Sequence, residues 1–403
     1  MTAKPNGWVP TRFGEMAHVD HGWPFKSPEY STDPQDPVVV SIGNFDYTGG
    51  FRFDRSTIKH YAGAFPGEFT LKAGDLLLVM TCQTEGGEIL GVPGVVPDDG
   101  RVYLHNQRIG RVHIDRPDLL DAKFAFHLAR WDEFNRQLAV TATGSKILHT
   151  SPARIEATTF ASPPLVEQRA IAEVLGALDD KIAANTRLAT KSEALAIALA
   201  AASEPSTPLD DLVGVSRTMV DPSLMTVTVV KHYSLPAFDA NHAPESVSPS
   251  EIKSGKFLIG RPAVLLSKLN PRFPRAWDIP VVPEDPSLAS TEFVVLHPVG
   301  FSTTVLWALV SQPRFGSALE GMVAGTSGSH QRVRPADMLA TPVGDPRSMP
   351  EALKKQITVL GSSATMARAE NLTLVATRDA LLPALMSGAL RVRDAERAVE
   401  RTV

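Results

Sequence analysis

Basic and aromatic side chains are concentrated in one window of an otherwise slightly acidic chain. Between residues 252 and 277 the sequence has no Asp or Glu, and Phe257, Phe273 and Trp277 are interleaved with the cations. These cations are Lys253, Lys256, Arg261, Lys268, Arg272 and Arg275. Lysine contacts phosphate as a point charge, and arginine can bind guanine edges through paired hydrogen bonds. The window favours contact with nucleic acid, and the alternative is a solvated charged surface.

Two further groups of cations show a weaker form of this pattern. Arg101, Arg108 and Arg111 lie within residues 100–114, beside tyrosine and histidine. The other group lies at the ends of two Gly-Ser loops or shortly after them, the first loop at residues 142–146 and the second at 325–329. Its members are Lys146 in the first copy and His330, Arg332 and Arg334 in the second. The N–H groups of such loops can also bind phosphate, so we include Lys146, Arg332 and Arg334 among the candidate DNA contacts.

The sequence predicts neither a catalytic constellation nor a metal site in this chain. Residues 270–273 (NPRF) resemble the Asn-Pro-Pro-Tyr/Phe loop of adenine N6 methyltransferases, but an arginine replaces the second proline. No strand upstream leads into a glycine-rich loop for S-adenosylmethionine. The 11 histidines form no His-x-x-x-His pair, and Cys82 is the single cysteine. We therefore predict no disulfide framework and no metal centre.

Length and composition set the broad class of the protein. The chain has 403 residues, of which 43% are hydrophobic and 21% charged, with a net charge of −4. Two or three globular domains are expected at this length. No run approaches 18 apolar residues, and the start has no basic segment leading into an apolar one. We expect a cytoplasmic protein without membrane contact.

An internal duplication organises the chain. The first Gly-Ser loop, a Ser-Pro-Ala or Arg-Pro-Ala step, a proline pair and a long helix recur about 183–186 residues later. Each half therefore consists of a mixed globular segment followed by a helix. The globular segments are predicted to be α/β (mixed α+β). Strands are expected at residues 38–42, 76–80, 225–230, 263–266 and 292–296, and helices at 118–134 and 304–315.

Heptad patterns predict the two long helices at about residues 163–202 and 349–387. Apolar residues recur at alternating spacings of three and four, which places them on one stripe of each helix. The predicted seam comprises Ile171, Leu175, Leu178, Ile182 and Asn185 in the first helix, and Ile357, Leu360, Asn371, Leu374 and Leu381 in the second. A polar seam residue costs stability and sets register, so the matched asparagines favour a coiled coil between the helices over two separate amphipathic helices.

Residues 163–185 (PPLVEQRAIAEVLGALDDKIAAN) resemble the central conserved region of the DNA specificity subunits of type I restriction-modification systems. Other segments resemble the two target recognition domains of that family. These are residues 22–27 and 40–44 for the first domain, and 232–239, 266–271 and 290–293 for the second. The resemblance covers essentially the whole chain. It implies recognition domains at 1–162 and 206–345, joined by a central conserved helix at 163–205 and a C-terminal conserved helix and tail at 346–403.

The same resemblance implies an antiparallel coiled coil with a pseudo-twofold internal repeat and a non-catalytic role. Such a subunit reads a bipartite, asymmetric site in double-stranded DNA for defence against foreign DNA. Two methyltransferase subunits then methylate adenine N6, and motor and nuclease subunits cleave. S-adenosylmethionine, ATP and Mg are expected in those partners and no cofactor in this chain. The alternatives are a coiled-coil scaffold without DNA readout and a self-contained DNA methyltransferase.

Charge counted by segment adds one expectation about DNA binding. Residues 8–162 contain 15 basic and 19 acidic residues, and residues 206–345 contain 11 and 13. Neither predicted recognition domain is basic overall. Since attraction to phosphate supplies most of non-specific affinity, we expect this chain to bind DNA weakly without its partners.

Overall fold

The computed structural model describes residues 7–53, 57–84, 86–144, 146–323 and 331–400. The chain divides into two compact units. The first unit consists of Met1–Lys181 together with Leu374–Val403, and the second is Ile182–Thr373. Both divisions fall inside the long helices. Each unit therefore holds one of the predicted recognition domains and part of both helices.

The first unit contains thirteen described strands, four short α-helices and one end of each long helix. The strands are β1 (Val9–Arg12), β2 (Ala17–His21), β3 (Tyr30–Ser31), β4 (Val38–Val40), β5 (His60–Tyr61), β6 (Thr70–Leu71), β7 (Leu76–Val79), β8 (Thr81–Cys82), β9 (Pro93–Val95), β10 (Tyr103–His105), β11 (Ile109–Ile114), β12 (Leu148–His149) and β13 (Thr159–Ser162). The helices are α1 (Ala122–Ala129), α2 (Asp132–Thr141), α3 (Pro152–Glu156) and the start of α4 (Leu165–Ala200).

Two sheets form the body of the first unit. One is antiparallel with the strand order β2-β11-β7-β9, and the other has the order β3-β5-β4-β10-β6 around a parallel β4–β10 pair. All four residues of β7 are buried, which explains why this strand is apolar without alternation. Helix α1 begins where the Asp121 carboxylate accepts hydrogen bonds from the N–H groups of Lys123 and Phe124.

The second unit is built from the remaining strands and helices. The strands are β14 (Pro205–Pro208), β15 (Val213–Ser216), β16 (Met219–Val220), β17 (Val230–Tyr233), β18 (Glu245–Val247), β19 (Lys256–Ile259), β20 (Ala263–Ser267), β21 (Ala276–Ile279), β22 (Ser287–Ala289), β23 (Phe293–Pro298) and β24 (Pro342–Gly344). The helices are α5 (Leu235–Asn241), α6 (Thr303–Val310), α7 (Pro313–Glu320), α8 (Pro335–Ala340) and the start of α9 (Glu351–Met386). Helix α10 (Val392–Glu400) follows in the first unit.

The second unit repeats the plan of the first. Its antiparallel sheet has the order β15-β23-β20-β21, and its other sheet has the order β16-β19-β22-β17-β18 around a parallel β17–β22 pair. Four strands of this second sheet match those of the first unit, and each unit adds its fifth strand at the opposite edge. The mixed α/β class and the internal repeat are thus confirmed.

The two long helices have equal lengths of 36 residues, and α9 begins 186 positions after α4. In the first unit, Asp179 of α4 accepts a hydrogen bond from Arg378 of α9. In the second unit, Glu193 pairs with Arg368. The later residue of α4, Glu193, thus contacts the earlier residue of α9, Arg368, so the two helices run in opposite directions. This confirms the predicted antiparallel coiled coil.

The two seam asparagines make polar contacts across the helix pair within the second unit. Asn185 Nδ2 donates to Glu370 Oε2 at 2.7 Å. Asn371 Nδ2 donates to the carbonyl oxygen of Ile182 at 3.1 Å and to Thr186 Oγ1 at 3.0 Å. These contacts exist in one alignment of the helices only, as a register-setting role requires.

Several predicted elements have different bounds in the structure. The helix expected at residues 118–134 is two helices, α1 and α2, separated at Arg130 and Trp131. The helix expected at 304–315 ends at Val310, and Pro313 opens α7, because proline suits a first helical turn. The strand expected at 225–230 begins only at Val230. None of the described helices is long and apolar enough to cross a bilayer.

Candidate DNA interface

The loop of residues 268–275 joins β20 and β21 in the second unit and carries several candidate cations. Three backbone hydrogen bonds hold its base. Lys268 N–H donates to Glu292 O at 2.9 Å, Asn270 N–H to Gln331 O at 2.8 Å, and Val333 N–H to Lys268 O at 3.0 Å. This ladder brings the candidates Lys268 and Arg332 onto neighbouring stretches of chain, although they are far apart in sequence.

The tip of the 268–275 loop presents a cation stacked on an aromatic ring. Asn270 adopts a left-handed backbone conformation with φ of 49°, and Phe273 N–H donates to its carbonyl oxygen at 2.8 Å. The Arg272 guanidinium lies 4.9 Å from the centroid of the Phe273 ring. Phe273 is 55% exposed, and exposed Arg272 has no ion-pair partner among the described residues. Such a pair can meet a base through both charge and an apolar face.

Two candidate arginines near this loop are already engaged by carboxylates. Arg275 Nε and Nη2 donate to the two oxygens of Asp239 at 2.6 and 2.8 Å. Arg332 Nε and Nη2 donate to Glu292 at 3.1 and 2.8 Å. The hydrogen bonds from Arg332 lower the pKa of Glu292, so this pair stays charged. Either arginine must exchange its carboxylate to contact DNA.

The remaining cations of the 252–277 window belong to a different part of the second unit. Lys253 is exposed just before β19, and Arg261 is exposed in the turn between β19 and β20. Lys256 is only 8% exposed, and its ammonium group donates to the carbonyl and hydroxyl oxygens of Ser254 at 2.9 and 2.7 Å. Burial lowers the pKa of Lys256. The structure does not present this lysine to DNA.

In the first unit two of the three candidate arginines are turned toward neighbouring side chains. Arg101 Nη2 lies 2.6 Å from Asp99, and its guanidinium lies over the rings of Phe53 and Tyr103. Arg111 lies against Asp20 and His113, with 18% of its side chain exposed. Arg108 is exposed in the turn between β10 and β11 and has no ion pair with any described residue.

The first Gly-Ser loop has a defined structure that depends on its glycine. Gly144 has a φ of 118°, and a Cβ atom there would lie 1.9 Å from the carbonyl oxygen of Ile147. Thr143 and His149 exchange backbone hydrogen bonds of 2.9 and 2.8 Å across the loop. Exposed Lys146 lies within it. Ser145 and the second Gly-Ser loop, including His330, lie outside the described residues.

Each Gly-Ser loop precedes a chain segment that pairs with the residues after a buried central strand. In the first unit β12 pairs with β8, which follows β7. In the second unit Arg332 bridges Leu269, which follows β20. Lys146 and the pair Arg332 and Arg334 therefore occupy corresponding places in the repeat. Arg334 is exposed and has no ion-pair partner within the described ranges.

The predicted seam residues lie in the helix pair with different degrees of burial. Seven are at most 6% exposed, and three are half-buried. The buried ones are Ile171, Leu175, Leu178, Asn185, Ile357, Leu374 and Leu381, and the half-buried ones are Ile182, Leu360 and Asn371.

A buried ionic cluster in the first unit was not predicted. Asp179 accepts hydrogen bonds from Arg130 at 2.6 Å and from Arg378 at 3.0 Å, so it joins the α1–α2 connection to both long helices. His127 lies beside it, and burial lowers the pKa of this imidazole to about 4. The one sequence signal is the position of Arg378, which lies four residues after Leu374 and three before Leu381 and so on the predicted seam.

The fold of nearly the whole chain is that of the specificity subunits of type I restriction-modification systems. The crystal structure of the type I S subunit from M. genitalium matches with a TM-score of 0.58 and 12% identity, over 96% of this chain and 98% of that one. The HsdS subunit from Thermoanaerobacter tengcongensis matches with a TM-score of 0.35 and 16% identity, over 96% and 98% of the two chains. The fold assignment rests on the first of these.

A sequence comparison points to the same kind of protein. The chain is 25% identical over 179 residues to the MjaVIII specificity subunit of a type I restriction enzyme from Methanocaldococcus jannaschii. The match covers 44% of this chain and 41% of that protein, so less than half of the relative is spanned. No family model matches the chain. The predicted resemblance is thus confirmed as a similarity to type I specificity subunits.

Proposed function

We propose that this chain is the non-catalytic DNA-recognition subunit of a type I restriction-modification complex. The observation that carries the proposal is the duplicated architecture, in which two similar α/β segments are joined by an antiparallel helix pair of equal lengths. A bipartite, asymmetric site requires two separate readers, one for each half. The whole-chain similarity of fold to an S subunit supports the same role.

The second half-site is proposed to be read chiefly from the 268–275 loop. Arg272 and Phe273 form its exposed tip, and Lys268 lies at its base. Other exposed cations without a described ion pair complete the proposed surfaces. These are Lys253, Arg261 and Arg334 in the second unit, and Arg108 and Lys146 in the first. Arg101, Arg111, Arg275 and Arg332 are secondary candidates because each already contacts a carboxylate.

The partners follow from the same proposal. Two methyltransferase subunits would supply S-adenosylmethionine and methylate adenine N6, and motor and nuclease subunits would use ATP and Mg. The cytoplasm is the compartment in which this assembly would act. Because neither recognition segment is basic overall, the partners would supply most of the attraction to phosphate, and this chain alone would bind DNA weakly.

Methylated-adenine mapping tests the proposal in a host that expresses the chain with its partner methyltransferase. We expect one bipartite motif, and we expect Arg272→Ala to relax or abolish one half of it while the other half is retained. Losing a good bidentate base contact costs about 1–3 kcal/mol of discrimination. Arg347→Ala is the matched control, because Arg347 is an exposed arginine of the same unit that is held by Asp345. A motif without two halves, or no sequence-specific methylation, would support the scaffold alternative instead.

A further inference from the structure

Two histidines that are distant in sequence face each other on the antiparallel sheet of the first unit. His18 on β2 lies directly opposite His113 on β11, and their rings are stacked with centroids 4.8 Å apart. Asp20 lies two positions after His18, and therefore on the same face of β2. Asp115 lies two positions after His113. This face of the sheet thus gathers two imidazoles and two carboxylates.

One nitrogen or oxygen atom from each of His18, Asp20 and His113 lies within 4.8 Å of the other two. His113 Nε2 is 3.0 Å from Asp20 Oδ2. Zinc binds histidine nitrogen and carboxylate oxygen at about 2.0–2.2 Å, which places two ligands of one ion roughly 3.3–3.6 Å apart in a tetrahedral site. The His113 and Asp20 atoms are only a few tenths of an ångström closer than this, so small side-chain rotations of these two residues and of exposed His18 complete the set.

The orientation of the His18 ring is set by Asp115. Nδ1 of His18 lies 2.8 and 2.9 Å from the two carboxylate oxygens of Asp115. In the neutral imidazole whose Nδ1–H donates to a carboxylate, the other nitrogen, Nε2, keeps its lone pair. Histidines that bind metals are oriented by carboxylates in this way.

His113 faces conflicting neighbours. Its Nε2 lies 3.0 Å from the donor Nε of Arg111 and 3.0 Å from the acceptor Oδ2 of Asp20. One nitrogen cannot accept from the first and donate to the second at the same time. When it accepts, two lone-pair-bearing atoms face each other, and a cation between them removes the repulsion. Arg111 Nη2, 3.5 Å from Asp20, is the cation now nearest to this carboxylate.

We propose that His18, Asp20 and His113 form a site for one divalent transition-metal ion of the zinc class, with Asp115 as the positioning residue for His18. The three ligand side chains are 37–49% exposed, so the ion has an open path and an open fourth position. The proposal departs from the expectation of no metal site. The corresponding strands of the second unit place Gly214 opposite His297, which is buried, so one ion per chain is expected.

Zinc titration of the full chain, freed of metal by a chelator, tests the site by calorimetry. We expect a stoichiometry of one, and a loss of at least about tenfold in affinity for His18→Ala, for His113→Ala and for Asp115→Asn. His21→Ala is the matched control, because His21 lies on β2 but on the opposite face and is not one of the ligands. Equal losses for His21→Ala and His18→Ala, or zinc affinity unchanged by His18→Ala and His113→Ala, would overturn the proposal.

Arg111→Ala provides a second test, in which zinc affinity is expected to rise rather than fall. Arg111 competes with the ion for Asp20 and His113, so its removal should tighten zinc binding severalfold. Cobalt absorption in the visible range, measured on the same variants, reports whether histidine and carboxylate ligands surround the ion. Weaker binding of zinc by Arg111→Ala would contradict the proposed ligand set.

Discussion

Replacing Asp179 by alanine should destabilise the first unit selectively. The two oxygens of Asp179 accept hydrogen bonds from Arg130 and Arg378. These arginine side chains are 5% and 8% exposed. Burial lowers the pKa of Arg130, whereas for Arg378 burial is outweighed by hydrogen bonds to Asp379 and Asp179, which raise its pKa. Removing Asp179 leaves two buried like charges close together.

The size of the effect follows from what each arginine loses and keeps. Two hydrogen bonds to charged groups, at about 1.5–3 kcal/mol each, set an upper value of about 6 kcal/mol. Arg130 keeps its bond to the carbonyl oxygen of Thr48, and Arg378 keeps Asp379. Asp179 itself is 28% exposed, so water can take over part of its hydrogen bonding to the two arginines after the substitution. We therefore expect a loss of about 3 kcal/mol, at the low end of values for a broken buried ion pair.

Amide hydrogen exchange of the full chain, followed peptide by peptide, measures this loss within one unit. A loss of about 3 kcal/mol corresponds to exchange on the order of 100-fold faster in residues 165–181 and 374–386. Asp180→Ala is the control, because the Asp180 side chain is exposed and makes no hydrogen bond or ion pair with the described residues. Equal exchange in the Asp179→Ala and Asp180→Ala proteins would refute the reasoning.

Three further predictions concern single groups. Burial raises the pKa of Asp278 to about 6, so the charged carboxylate destabilises the native state above that pH. Asp278→Asn should therefore stabilise the second unit by about 2 kcal/mol at pH 7.5, and this gain should disappear near pH 4. Thermal unfolding at the two pH values measures the difference. Burial lowers the pKa values of His105 and His127 to about 4, so the unfolded chain binds more protons than the native one between about pH 6.5 and 4. The first unit should therefore lose stability as the pH falls through that window, measured as smaller amide protection factors after correction for the intrinsic exchange rate at each pH. Gly144→Ala should cost about 1–3 kcal/mol through its positive φ and the contact with Ile147, measured as faster exchange at residues 143–149.

The large-scale architecture was predictable because it is encoded by local periodicity. A seam of apolar residues over 36-residue helices gives a signal far longer than chance, and its repetition after about 186 residues shows the duplication directly. Shorter boundaries were not predictable in this way. The break at Arg130 and Trp131 has no proline or glycine to mark it, and the carboxylate that holds Arg130 there belongs to Asp179, 49 positions away.

The candidate site was predicted only in part because charge in a sequence does not reveal its partner. Arg275 is paired with Asp239, 36 positions away, and Arg332 with Glu292, 40 positions away. The fate of Lys256 likewise depends on burial within a sheet. His18 and His113 lie opposite each other in the β-ladder. Asp115, which contacts His18 on the same face, is 97 positions from it in sequence. Long-range strand pairing decides all of these contacts.

The first unit is assembled from two stretches of chain that are distant in sequence, and this affects its folding during synthesis on the ribosome. The helix segment before residue 182 emerges with the apolar side chains of Ile171, Leu175 and Leu178, which the finished protein buries. Its partner segment begins at Leu374, about 190 residues later. At a translation rate of about 5–20 residues per second, the partner segment is synthesised roughly 10–40 s after the first segment. The second unit is continuous in sequence and can close before the first is complete.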